Sequence, residues 1–244
     1  MLKDILACIV CGMEHSGTTI MMRLLCQDKR LGGGLECHAL RPNKFTDFKY
    51  KKYAKIFKQC WQVSGIDFRR LTDSNSKSYE DFFRDLRVCS GIIKDKSVRL
   101  VDKTPFYFYD LDKLFDRVGD VPVIVMRKDP RNMISSLTRR RVMLKRAIKL
   151  YKEYYEEKLP SLIEKYKGRL QVIQWEWLLK NPEKVLRKVF KFIGLKFDSE
   201  TYKEVLSCGM IKTFLIDVYK TRMSPDNLEK VIEQIDPKCF LKGI

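Results

Sequence analysis

The stretch Ile5–Cys26, ILACIVCGMEHSGTTIMMRLLC, restricts the fold more than any other part of the chain. Ile5–Cys11 is an apolar, β-branched run too short for a helix, which predicts a buried strand. Gly12–Gly17 forms a loop bounded by glycines. Thr18 and Thr19 then open a second apolar run, Ile20, Met21, Leu24 and Leu25, at helical spacing. Strand, glycine loop and helix together aim free backbone N–H groups and a helix N-terminus at one point, which is an anion site for phosphate or sulfate.

The loop nearly fits the nucleoside-triphosphate pattern G-x-x-x-x-G-K-[ST], but Thr18 stands where the lysine belongs. That lysine reaches the β- and γ-phosphates, so its loss disfavours a P-loop kinase or NTPase-like phosphotransferase while keeping the anion cradle. The formal charge of +18, from 49 Lys and Arg against 31 Asp and Glu, attracts anions without choosing among them. A basic nucleic-acid-binding protein is the alternative that this charge alone suggests, and nucleic acid is the disfavoured partner.

With 244 residues, 45% of them hydrophobic, the chain can bury a large core, and a single domain over residues 1–244 is expected. No apolar stretch has the roughly twenty residues that span a bilayer. The N-terminus runs straight into the first strand without a signal-peptide layout, which predicts a cytoplasmic protein. Eight cysteines, at 8, 11, 26, 37, 60, 89, 208 and 239, form no paired zinc pattern and read as reduced structural thiols. No metal is expected.

Further along, Gly32–Gly34 predicts a flexible turn, Phe45–Trp61 an amphipathic helix over the site, and 73–78 a polar loop. Ser78 caps a helix through Glu80–Val88. Ser97–Lys103 is a second strand, and Pro105 opens a helix to about Arg117. Val121–Met126 has the length and composition of a central parallel strand, followed by a helix from Pro130 to about Thr138. A long charged helix over Arg139–Tyr166, a strand at Leu170–Gln174, a helix at Pro182–Ile193 and a last helix at Asn227–Ile235 complete the pattern. Alternating strands and helices predict an α/β fold, a three-layer α/β/α sandwich with a central parallel sheet, like that of P-loop NTPases. Ligands then lie at the carboxyl ends of the strands.

Arg127 leaves one such strand end, and Ser135 follows eight positions later in the next helix. Arginine with a hydroxyl makes a second phosphate clamp, a bidentate fork with one directional donor. Two anion sites without the triphosphate lysine suggest a nucleotide with two separate anionic groups.

GMEHSGTT resembles the 5′-phosphosulfate loop of sulfotransferases that use 3′-phosphoadenosine 5′-phosphosulfate (PAPS), and RKDPRNMISS resembles their 3′-phosphate segment. VDKTP (Val101–Pro105) is similar to the Asp/Glu-Lys-Thr-Pro segment of carbohydrate and bacterial members, and Val172–Leu195 to a later family block. The resemblance covers about residues 5–195. It implies in-line transfer of a sulfuryl group from PAPS to a hydroxyl or amine, leaving 3′-phosphoadenosine 5′-phosphate (PAP).

By the same resemblance, His15, Ser16, Gly17, Thr18 and Thr19 hold the 5′-phosphosulfate, and Arg127, Ser135 and Arg139 the 3′-phosphate. Trp175 lies near the adenine, and Lys220 or Arg222 provides a lid contact. His15 replaces the family's usual Lys or Arg, so its charge near pH 7 depends on its surroundings. Lys103 supplies the cation at the sulfonate. Glu36 and His38 are the two candidates for the base that takes the acceptor's proton, with Glu36 preferred. The acceptor, whether sugar, peptide, lipid or small molecule, is not specified.

Overall fold

β1 (Leu6–Cys11) is buried at all six positions, as its apolar sequence demands, and forms the centre of the sheet. The computed structural model describes residues 1–48, 52–73, 78–207 and 209–241. Four further strands complete the sheet: β2 (Leu31–Gly32), β3 (Arg99–Lys103), β4 (Val123–Arg127) and β5 (Leu170–Gln174). Their order is β2-β3-β1-β4-β5 and every pairing is parallel. Helices cover both faces, giving the α/β layering expected from the sequence.

Strand alternation divides the interior into two clusters, one on each face of the sheet. In β4, Val123 and Val125 join the cluster that contains Tyr151 and Tyr155, whereas Ile124 and Met126 join the one that contains Trp175 and Phe190. This alternation decides where the next two residues, Arg127 and Lys128, point.

Two helices build the site. α1 (Thr18–Leu25) follows the glycine loop, and α2 (Pro130–Thr138) follows β4 with the bounds its proline and hydroxyl residues predict. Asp129 caps α2 by accepting a hydrogen bond from the Arg131 amide.

Several expectations change in detail. The Gly32–Gly34 turn contributes a two-residue edge strand, β2. The expected helix at Phe45–Trp61 is seen as Phe45–Phe48 and Tyr53–Trp61, with residues 49–51 outside the described set. Pro105 opens a 3₁₀ segment to Asp110, and the α-helix runs over Leu111–Val118. The long helix begins at Leu144 and widens to π geometry over Lys152–Lys158, just before Pro160. Proline has no N–H to continue the ladder, so the helix accommodates it by widening. A helix at Trp175–Lys180 was not anticipated. Residues 74–77 of the expected polar loop, and Cys208, lie outside the described residues. The seven described cysteines are free. No helix among the described residues is long and apolar enough to cross a membrane.

Candidate active site

The loop after β1 is shaped by two glycines that no other residue could replace. Gly12 and Gly17 have φ of 147° and 103°. A Cβ on Gly12 would lie 2.5 Å from the Met126 carbonyl oxygen, and one on Gly17 would lie 2.5 Å from Cε3 of Trp175. Tyr155, from the π-helical turn, fixes the loop from below. Its hydroxyl accepts from the Met13 amide at 3.1 Å and donates to the Met126 carbonyl at 2.7 Å.

What the loop leaves free is as informative. The amides of Gly17, Thr18 and Thr19 have no backbone acceptor, as expected for the first turn of a helix. The Ser16 hydroxyl is fully buried and has no hydrogen-bond partner among the described residues. Beside the loop lies a cavity of about 480 Å³ lined by His15, Ser136, Arg139, Arg140 and Arg222. No carboxylate pairs with any of these three arginines among the described residues. Partial burial, Arg140 and Lys128 hold the His15 imidazole below its ordinary value of 6.5, against a smaller opposing effect of Glu14. The shift favours the neutral imidazole at pH 7.

The β4 end carries two cation–hydroxyl pairs at the same separation, Arg127–Ser135 and Lys128–Ser136. Arg127 continues the Val123–Val125 face. Its Nε meets the Tyr151 hydroxyl at 3.3 Å and its Nη2 the Cys239 carbonyl at 3.3 Å, so it ties the C-terminal segment to the sheet. Ser135 is buried and donates to the Asn132 carbonyl at 3.0 Å. Neither side chain lines the cavity. Lys128 turns to the other face of the sheet, and Ser136, eight positions on, is the residue after Ser135 in α2. Ser136 lines the cavity, and Lys128 Nζ donates to the His15 carbonyl at 3.0 Å and lies 5.4 Å above the Trp175 ring. Burial pushes the Lys128 ammonium down to about 8, with Arg222 adding to the shift and Glu176 opposing it.

Trp175 is buried, with Gly17 packed against its ring. Arg139 does line the cavity. Lys220 is exposed and paired with Asp217 at 2.9 Å, while Arg222 faces the cavity. Glu176, which the sequence reading did not use, accepts from the Asp129 amide, Asn132 and Gln174 and so clamps the β4–α2 turn.

At the end of β3, Lys103 Nζ lies 3.3 Å from Glu36 Oε1, and His38 Nε2 lies 3.1 Å from Glu36 Oε2. The hydrogen bond from His38 and the charge of Lys103 bring the Glu36 carboxyl down to about 2, despite burial. Lys103 and His38 are each 2% exposed, whereas the Glu36 side chain is 32% exposed and open to a ligand. Asp102 organises this corner. It is buried, which pushes its carboxyl up to about 7, and it accepts from Thr104 at 3.1 Å and Tyr107 at 3.0 Å. Those hydroxyls in turn accept from the amides of His38 and Leu40. His15, Glu36 and His38, with φ of 71°, 43° and 58°, are three of the five non-glycine residues in the left-handed region among the described residues. Such backbone costs roughly 1–3 kcal/mol each and gathers at functional sites.

The family model described as "Sulfotransferase family" matches residues 8–199. The chain belongs to the sulfotransferase family. Membership makes it an enzyme of sulfuryl transfer. Among solved structures, the sulfotransferase domain of the Synechococcus PCC 7002 olefin synthase superposes with a TM-score of 0.64 at 17% identity, covering 93% of this sulfotransferase and 93% of that domain. The sulfotransferase domain from the curacin biosynthetic pathway gives 0.63 at 18% identity, covering 93% and 95%. Mouse sulfotransferase SULT7A1, solved with PAP, gives 0.53 at 10% identity, covering 95% and 82%. At these identities the likeness is one of fold. No curated protein matches the sequence.

Proposed function

We propose that this sulfotransferase, a single domain, binds PAPS across the glycine loop and the arginine-lined cavity and transfers its sulfuryl group to an acceptor hydroxyl at Glu36. One observation carries the assignment. The free amides at Gly17–Thr19 and the orphaned buried Ser16 hydroxyl belong to the loop that carries His15, and His15 lines the adjoining cavity with three arginines that have no carboxylate partner among the described residues. Such a donor set fits a ligand with two anionic groups, and PAPS is the sulfuryl donor of that description.

In this reading Ser16–Thr19 hold the 5′-phosphosulfate, with His15 as a neutral hydrogen-bonding group. Lys128, Ser136, Arg139, Arg140 and Arg222 hold the 3′-phosphate. Lys103 is the cation at the sulfonate. Glu36 is the catalytic base because it is the open member of its group, and buried His38 is a positioning residue. While Lys103 and His38 hold both carboxylate oxygens, Glu36 is a poor base. When Lys103 turns to the sulfonate, Glu36 loses that cation, and its proton affinity rises as the acceptor hydroxyl arrives.

Calorimetry tests the donor site. PAP should bind without magnesium and at least about 10-fold more tightly than AMP, the ratio expected from charge-assisted contacts to one phosphate. Equal affinities for PAP and AMP would overturn the assignment. Transfer of ³⁵S from labelled PAPS to a mixed acceptor panel tests the reaction.

A further inference from the structure

Glu36 opens beside a group of side chains that the transfer reaction does not use. The His38 ring stacks on Tyr53 at 4.8 Å and meets Phe106 at 6.1 Å. The same two rings receive the Arg41 guanidinium, at 4.9 Å over Tyr53 and 4.5 Å over Phe106. Arg41 and the Glu36–His38 pair thus share one aromatic wall. The Arg41 amide also donates to the His38 carbonyl at 3.0 Å, so the two move together.

Arg41 is partly buried, and among the described residues no carboxylate pairs with it. Contact with two aromatic rings holds the guanidinium in place, and its N–H groups are not taken up by a carboxylate among the described residues. Next to it is a cavity of about 220 Å³ whose lining includes Arg41, Phe106, Tyr109 and Lys113. The one carboxylate in that lining, Asp110, accepts from the Lys113 amide as a helix cap. Unpaired, oriented cationic donors in a small cavity select an anion.

We propose that Arg41 is a specificity-determining residue, and that the acceptor is a small hydroxyl-bearing molecule whose far end is an anion, a carboxylate or a phosphate. Arg41, supported by Lys113, holds that anion while the hydroxyl reaches Glu36. This inference rests on the placement of Glu36 proposed above. The anion itself is recognised without the sulfuryl donor.

The test uses matched pairs that differ only in the anion: 4-hydroxyphenylacetate and its methyl ester, 3-hydroxybutyrate and its methyl ester, and glycerol 3-phosphate and glycerol. Calorimetry first titrates PAP, which tests the donor site separately, and then each pair member onto the PAP-saturated protein. If PAP does not bind, the pairs are titrated onto the protein alone. At least one anion should bind about 10- to 100-fold more tightly than its neutral partner. Whether a carboxylate or the phosphate leads identifies the source of the charge. Arg41→Gln should abolish that difference without changing PAP affinity, and Arg41→Lys should restore part of it. The assignment is overturned if acid and neutral partner bind equally in every pair, or if none binds. It is also overturned if Arg41→Gln weakens both members alike, which would make Arg41 a packing residue.

Discussion

The two ends of the site handle charge in opposite ways. At the donor end, Arg139, Arg140 and Arg222 face an open cavity without carboxylate partners, and the loop amides are free. At the acceptor end, Glu36 pairs with Lys103 at 3.3 Å and is hydrogen-bonded to His38 at 3.1 Å, and these two partners of Glu36 are buried. The donor end is complete only when an anion brings the missing charge. The acceptor end is complete before any ligand arrives and must be rearranged to react. Binding and turnover should therefore separate cleanly in variants of the two ends.

The largest effect is expected at the acceptor end. Glu36→Gln keeps the shape and one acceptor oxygen but removes the proton acceptor, so kcat should fall by about 10²–10⁴ while PAP affinity holds. His38→Asn should cost much less, because His38 acts through Glu36. A dead His38→Asn enzyme beside an active Glu36→Gln one would exchange the two roles. Lys103→Ala comes next, with an expected loss of about 10²–10³ in kcat if its ammonium acts on charge that develops during transfer. A normal kcat with poor PAP binding would instead move Lys103 to the donor end and break the contrast.

How much of this was legible in the sequence also differs between the ends. The glycine loop was legible because its geometry is local: Gly12 and Gly17 adopt backbone that only glycine tolerates well. Glu36, His38 and Lys103 were named individually from the family resemblance, and they meet because the turn after β2 and the end of β3 are neighbours in a parallel sheet. The β4 end offers two registers that the sequence does not separate, for a physical reason. Arg127–Ser135 and Lys128–Ser136 have the same separation and the same chemistry, cation and hydroxyl. The two cations differ in the face of the sheet, which depends on packing against Tyr151 or Trp175, and the two serines in how α2 is rotated towards the cavity. Asp102 and Glu176 were missed because a buried carboxylate that holds turns together leaves no spacing signal in sequence.

Lys128 offers a sharper test of the donor end. Its ammonium is brought down to about 8 by burial, so the protonated form that attracts phosphate is lost as pH rises through that value. PAP affinity should therefore weaken above about pH 8 in the wild-type protein. Lys128→Arg, which stays charged, should remove that limb of the profile. Lys128→Ala should reduce PAP affinity at pH 7 by about 10- to 100-fold and leave AMP affinity much less affected. A flat pH profile for the wild type would remove Lys128 from the phosphate site.

The smallest effect decides between the two registers at the β4 end. A single neutral hydrogen bond contributes about 0.5–1.5 kcal/mol, or roughly 2- to 13-fold in affinity. Ser136→Ala should weaken PAP by that factor, since its hydroxyl borders the cavity and can turn from the Asn132 carbonyl, 2.8 Å away, to a phosphate oxygen. Ser135→Ala should leave PAP affinity unchanged, because that hydroxyl is buried and bonded within its own helix. Thermal melts of both variants separate binding from folding, as a loss of helix stability would lower Tm without PAP present. If Ser135→Ala weakens PAP and Ser136→Ala does not, the cavity-facing register is wrong, and Arg127 with Ser135 returns as the phosphate clamp.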